Sequence, residues 1–193
     1  MAILLNDRPI RFEDADFPMI IHAREGLGAS FFVVNLMAEL FRQGWKLLFF
    51  TAFHMAKDDL KQLLGTDGLA RTEFVTGREA VAGRQAVVVS SGEAADLAAV
   101  RRRLPDLDER IVLIKNIERY GREVLDGLAD QRRLILAGDI DLSPFAPEIW
   151  ARGAATRLYF SRPATFEVGD LPELPKFQGF AAGRRLGGLV RLG

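Results

Sequence analysis

Short uninterrupted apolar runs recur along this chain, separated by longer stretches in which apolar positions return every three or four residues. The runs are "PMIIHA" (18–23), "KLLFFTAF" (46–53), "AVVVSS" (86–91), "RIVLIK" (110–115), "RLILAG" (133–138) and "TRLYFS" (156–161). Their length and β-branched content predict strands covered on both faces rather than on one. Between them the 3.6-residue period predicts helices. The stretch 30–43 is apolar except for a narrow strip at Asn35, Glu39 and Arg42, so it reads as a mostly covered helix that Gly44 ends. A short helix over 57–64 stops at Gly65. A third, over 93–104, carries basic residues in its last turn and precedes Pro105. A fourth runs from Glu118 to Asp130. The tail "KFQGFAAGRRLGGLVRLG" reads as a final hairpin, although its glycines weaken the strand signal.

Strands alternating with helices predict a three-layer α/β fold with a mostly parallel sheet covered by helices on both faces. The expected organisation is one α/β domain over residues 1–161. A loop-rich extension over 162–193 is expected to pack on the same domain. In such sheets functional groups gather at the carboxyl ends of the strands. Those ends are 22–30, 51–59, 90–93, 115–118 and 138–141.

Composition narrows the chemistry. The 193 residues hold 26 basic and 26 acidic side chains, so no overall field draws the chain to nucleic acid or to a membrane. With no cysteine, thiolate metal sites, disulfides and a cysteine nucleophile are excluded. The only histidines are His22 and His54, too few for a histidine-rich metal site. The start "MAILLNDRPIRFED" does not have the pattern of a signal peptide, and no apolar segment approaches membrane-spanning length, so a cytoplasmic location is expected.

The candidate chemistry sits in "AREGLGAS" (23–30), between the first buried strand and the first helix. The phosphate-cradling pattern is G-x-x-x-x-G-K-[ST]. Gly28 and Ser30 match it, whereas Ala23 and Ala29 stand at the first glycine and the lysine. Backbone N–H groups at a helix start still favour an anion, and the Ser30 hydroxyl still suits a magnesium ion. What Ala29 removes is the ammonium that neutralises phosphate charge during transfer.

At these residues the chain resembles the P-loop NTPases, and within them the RecA-like and AAA+ branch, over residues 17–160 in element order. The resemblance implies a P-loop fold, ATP with Mg²⁺ as cofactor, and an acidic residue at a strand end that holds magnesium and activates water. The chain departs from that pattern. "AVVVSSGE" offers Ser90 or Ser91 at the acidic position, and "IVLIKNIERYG" offers Lys115 and Asn116 where the family has an acidic pair. Under a second alignment Asn116 is the family's polar sensor. Glu93 and Glu118 are the nearest carboxylates in sequence.

Two catalytic elements depart together, which points to a degenerate member that binds rather than hydrolyses. It would act through a protein partner or a second copy of itself and hold nucleotide or anion weakly at Gly26, Gly28, Ser30 and Lys115. The competing expectations are an active ATPase with a relocated lysine, Lys115 or Lys57, and an α/β enzyme unrelated to nucleotides. Several other groups carry a structural alternative beside a functional one. His54, Asp58 and Asp59 form either a water-activating cluster or an ordinary acidic first turn. Asp139 and Asp141 hold magnesium, or Asp141 or Ser143 caps a short helix. The arginines at 101–103, 132–133 and 184–185 are trans-acting fingers, nucleic-acid contacts or solvated charges. Phe31, Phe32, Phe41, Phe49, Phe50 and Phe53 read as core. Phe166, Phe177 and Phe180 read as a partner surface or as packing under the last hairpin.

Overall fold

A computed structural model of the chain describes residues 2–51, 55–76, 84–90, 104 and 106–193. One sheet of 11 strands runs through it. In chain order the strands are β1 (Ile3–Leu5), β2 (Arg8–Pro9), β3 (Met19–His22), β4 (Leu47–Thr51), β5 (Thr72–Thr76), β6 (Ala86–Ser90), β7 (Ile111–Lys115), β8 (Leu134–Gly138), β9 (Thr156–Tyr159), β10 (Gln178–Gly183) and β11 (Gly187–Leu192). Their spatial order is β2-β1-β11-β10-β9-β3-β8-β7-β4-β6-β5. From β9 to β5 every pairing is parallel, and from β9 to β2 every pairing is antiparallel. The fold is thus a three-layer α/β architecture with a mostly parallel sheet and a C-terminal hairpin.

The apolar runs explain the layers. Side chains alternate across a strand, so a strand that is apolar at every position feeds two cores. Met19, Ile21, Leu47, Phe49, Leu113 and Ile135 join the core under helix α1 (Ala29–Arg42). Ile20, Leu48, Phe50, Val112, Ile114 and Leu136 join the core on the opposite face. That second core is closed by α3 (Arg122–Gly127) and α4 (Ala146–Ala151), through Val124, Leu125, Ile149 and Trp150.

Several elements differ from the sequence expectation. The stop expected at Gly65 holds, since its φ of 66° is not helical, but a second helical stretch follows it, so that α2 (Met55–Ala70) is two helices joined across a kink. The helix expected over 118–130 breaks up. Asn116 is left-handed, Ile117–Arg119 form a 3-10 turn, and Gly121 starts the short α3. Asn35 is not on a solvated strip. It is fully buried, and its Nδ2 donates to Phe31 O at 2.9 Å. Phe31, expected in the core, is 41% exposed, because it sits in the first turn of α1 at the end of the sheet. Phe32, Phe41, Phe49 and Phe50 are core residues. The expected helix over 93–104 lies almost wholly outside the described residues, as do Phe53, His54, Ser91, Glu93 and the arginines at 101–103. Among the described residues no helix is long and apolar enough to cross a membrane.

Candidate anion-binding site

The carboxyl ends of β3, β8 and β7 open into a pocket of about 770 Å³. Its floor is the loop that follows β3. The backbone N–H of Ala23 donates to Gly138 O at 3.1 Å, fixing the loop to β8, and Arg24 N donates to Ser161 Oγ at 3.0 Å. Gly26 and Gly28 both take positive φ, at 83° and 91°. The turn therefore needs residues without the Cβ penalty of the left-handed region. Gly28 is the N-cap of α1, and no side chain caps it. The first helical bond is donated by Phe32 N to Gly28 O at 3.0 Å. The N–H groups of residues 29–31 precede that bond and lie at the positive end of the helix dipole.

Gly26, Gly28, Ser30 and Lys115 all line this one pocket, with Ala29 between the glycine and the serine. Lys115 ends β7, one strand beyond β8, and is 7% exposed. Its Nζ donates to Asn116 Oδ1 at 3.2 Å. Burial lowers the lysine's pKa from its ordinary value, against the opposing pull of Glu118 and Asp59. Ser90 ends β6, which is separated from β3 by β8, β7 and β4. Lys115 and Asn116 both line the pocket beside the loop.

Acidic groups face this lysine. Glu118 and Asp59 line the pocket. Asn116 Nδ2 donates to Glu118 Oε1 at 3.3 Å, while Glu118 Oε2 is buried without a hydrogen bond. That carboxylate lies against Gly138, where a Cβ would collide with it and approach Ile117 N to 3.0 Å. Gly138, at φ 153°, thus makes room for an acid at the end of β8.

Two residues at the pocket were not expected there: Lys176 was not singled out, and Phe177 was read only as a partner surface or as packing under the last hairpin. Lys176 lines it from the segment before β10, with its Nζ 5.2 Å from the Phe177 ring. Phe177, itself at φ 66°, lies across the loop. Its N–H donates to Leu27 O at 3.2 Å, and its ring occupies the space that a Cβ on Gly28 would enter. Nothing local in the sequence links position 28 to position 177. The only cue was an apolar residue in a polar segment. Phe177 is 52% exposed and Leu142 is 71% exposed, and with Phe31 they make an apolar rim.

Behind the loop lies a second polar group. His22, Asp139 and Asp141 bring one ligand-type atom each within 4.8 Å of one another. Asp141 does not cap a helix as the sequence suggested. It accepts hydrogen bonds from Ala164 N at 2.7 Å, from Thr165 N at 3.2 Å and from Thr165 Oγ1. Ser143, the other candidate cap, does not cap α4 either: the N-cap is Phe145 and no side chain caps it, and the Ser143 hydroxyl accepts from Phe145 N at 3.2 Å in the turn before it. Burial holds the His22 pKa below its usual value, with Arg24 adding to the effect and Asp141 and Asp139 opposing it. Burial pushes Asp139 up, helped by Asp141 and Glu118. For Asp141 burial acts the same way, but the donors from Thr165 and Ala164 outweigh it and hold the carboxyl low.

Comparison with solved structures places this architecture. The cytoplasmic domain of the type VII secretion ATPase EccC from Thermomonospora curvata matches over 97% of this chain with a TM-score of 0.55. The fold is P-loop ATPase-like. Identity is 14%, and the chain spans 25% of that protein's length, so the likeness concerns the fold alone. No family model matches the sequence, and no curated protein does.

Proposed function

We propose that this chain is a degenerate P-loop-like domain that binds the phosphates of a nucleotide, or a comparable anion, without hydrolysing it efficiently, and that works by associating with a protein partner. The observation carrying this reading is the mouth of α1. A left-handed glycine turn and open helix N–H groups face a pocket large enough for a small ligand, while Ala29 stands where the reactive ammonium would be. Gly26, Gly28 and Ser30 hold the anion through the loop, and Lys115 supplies charge from the side. The strand-end acid is replaced by Lys115 itself. The site therefore attracts phosphate better than it activates water. The apolar rim of Phe31, Leu142 and Phe177 around a charged pocket suits a protein partner or a second copy of the chain. In this reading residues 1–161 form the binding domain and 162–193 the extension that reaches back over it.

One observation favours a second reading, an ATPase with relocated groups. Lys115 and Lys176 border the same pocket as Glu118, whose Oε2 has no hydrogen-bond partner. Melting curves with ATP and magnesium, run beside a phosphate-release assay, separate the two. Saturating ligand at 100 times its dissociation constant adds about 2.7 kcal/mol of stability. The proposal expects such a shift with phosphate release at background. Release that saturates with ATP and is lost in Lys115→Ala or Lys176→Ala supports the second reading. No shift at millimolar ATP refutes both.

A further inference from the structure

We propose that His22, Asp139 and Asp141 form a binding site for one divalent transition-metal ion of the zinc class, independent of the nucleotide reading above. The three residues come from the ends of neighbouring strands. His22 closes β3 and is paired with Gly138, which ends β8, and Asp139 and Asp141 follow immediately. His22 is fully buried, yet neither ring nitrogen has a hydrogen-bond partner. Buried polar atoms are nearly always satisfied, so an imidazole with two open nitrogens at the end of a core strand calls for a missing group. Its Nε2 points toward Asp141 Oδ2 at 3.6 Å, too long for a hydrogen bond. Asp139 adds a buried oxygen, Oδ1, that also lacks a partner.

The donor set defines the ion. A neutral imidazole nitrogen and two carboxylates suit zinc, cobalt or manganese, whereas magnesium prefers oxygen ligands alone. The two carboxylate charges balance a divalent ion. Ligand atoms each about 2.1 Å from one ion in a tetrahedral site lie about 3.4 Å from each other. All three atoms here lie within 4.8 Å of one another, so the widest pair needs to close by no more than about 1.4 Å, a distance that rotation of the carboxylates covers. Asp141 is oriented as metal ligands are, by donors behind it. Thr165 and Ala164 hold its carboxylate, and Trp150 Nε1 donates to Thr165 Oγ1 at 3.3 Å. Three protein ligands leave coordination positions for water or substrate. Asp139 also lines the large pocket, so a bound ion would border it.

Trp150 provides the readout, because its ring centroid is 5.6 Å from that of His22. The chain's other tryptophan, Trp45, packs against Phe17. In a Trp45→Phe background, titration with cobalt(II) reports on Trp150 fluorescence, and competition with zinc and magnesium sets the selectivity. The expected result is saturable quenching with one ion per chain, reversed by zinc but not by a large excess of magnesium. Affinity should fall at least about tenfold in Asp139→Asn, the scale on which losing a metal-site partner acts. His22→Gln should abolish the quenching. If that buried substitution fails to fold, Asp139→Asn, at a half-buried position, decides the matter. Absent or unsaturable quenching, quenching unchanged in Asp139→Asn, or displacement by magnesium as effective as by zinc, would overturn the proposal.

Discussion

Strands β3, β8, β7 and β4 are buried at nearly every position, whereas β10 and β11, across the same sheet, alternate between covered and open residues. The first group is parallel and sandwiched between two helical layers. The second is antiparallel and half solvated. The difference assigns them different work. Parallel strands all end on one side, so β3, β7 and β8 deliver the glycine loop, Lys115 and Asp139 to one place, on a base too tightly packed to shift. The antiparallel half delivers a single connection, residues 160–177, which returns over that place and sets Lys176 and Phe177 on it. Rigidity comes from one half and closure from the other.

The largest expected effect lies at the opposite end of the parallel strands. Arg110 is fully buried. Its guanidinium donates to both Asp106 oxygens, at 2.9 and 3.1 Å, and to the carbonyls of Leu47, Gln85 and Arg84. Arg110→Met leaves those acceptors unpaired and should cost about 3–5 kcal/mol in chemical denaturation. Loss of less than about 1 kcal/mol would mean that the parallel half is not the rigid base described here.

Next comes the contact between the halves. Gly28→Ala forces a side chain into the Phe177 ring at a positive φ, and a loss of about 2–4 kcal/mol is expected. Adding Phe177→Ala should recover part of it, leaving the backbone strain. If the double variant is no better than Gly28→Ala, the two residues are not in contact.

Lys115→Met sharpens the electrostatic side. Burial lowers the folded-state pKa below the ordinary lysine value of 10.5, so the unfolded chain binds more protons between those two values. The burden of keeping Lys115 charged is full below the folded-state pKa and fades as pH rises toward 10.5. The variant should therefore be more stable than the parent near neutral pH, on the order of 1 kcal/mol, with the gain shrinking in alkali. A gain independent of pH would show that packing, not charge, is responsible. The smallest effect belongs to the open half. Gly187 is exposed at the start of β11 with nothing near a built Cβ, so Gly187→Ala should change the melting free energy by no more than about 0.5 kcal/mol.

The same contrast explains what the sequence revealed. Six parallel strands were legible because burial on both faces leaves continuous apolar runs such as "RIVLIK". The glycine loop was legible because Gly26 and Gly28 answer to a local backbone need. β1, β2 and β5 were not, since two- and three-residue strands have no period to read, and "TEFVT" carries polar residues on an edge. The helix expected over 118–130 failed because Asn116 and Gly121 interrupt it to bring Glu118 to the pocket. Lys176 and Phe177 were illegible as site residues. Their role comes from the return of the chain's last segment, which no local pattern encodes. His22 read as one histidine among two, and only its burial and its open nitrogens give it meaning.

The proposed cradle has the shape for an anion and carries Ala29 in place of the loop's own lysine. Calorimetric titration of ATP with magnesium into the parent chain and into Ala29→Lys measures the consequence directly. The account predicts weak but saturable binding to the parent, tightened at least about tenfold, or 1.4 kcal/mol, by the added lysine. Equal affinity in the two chains, or no binding to either, would contradict it.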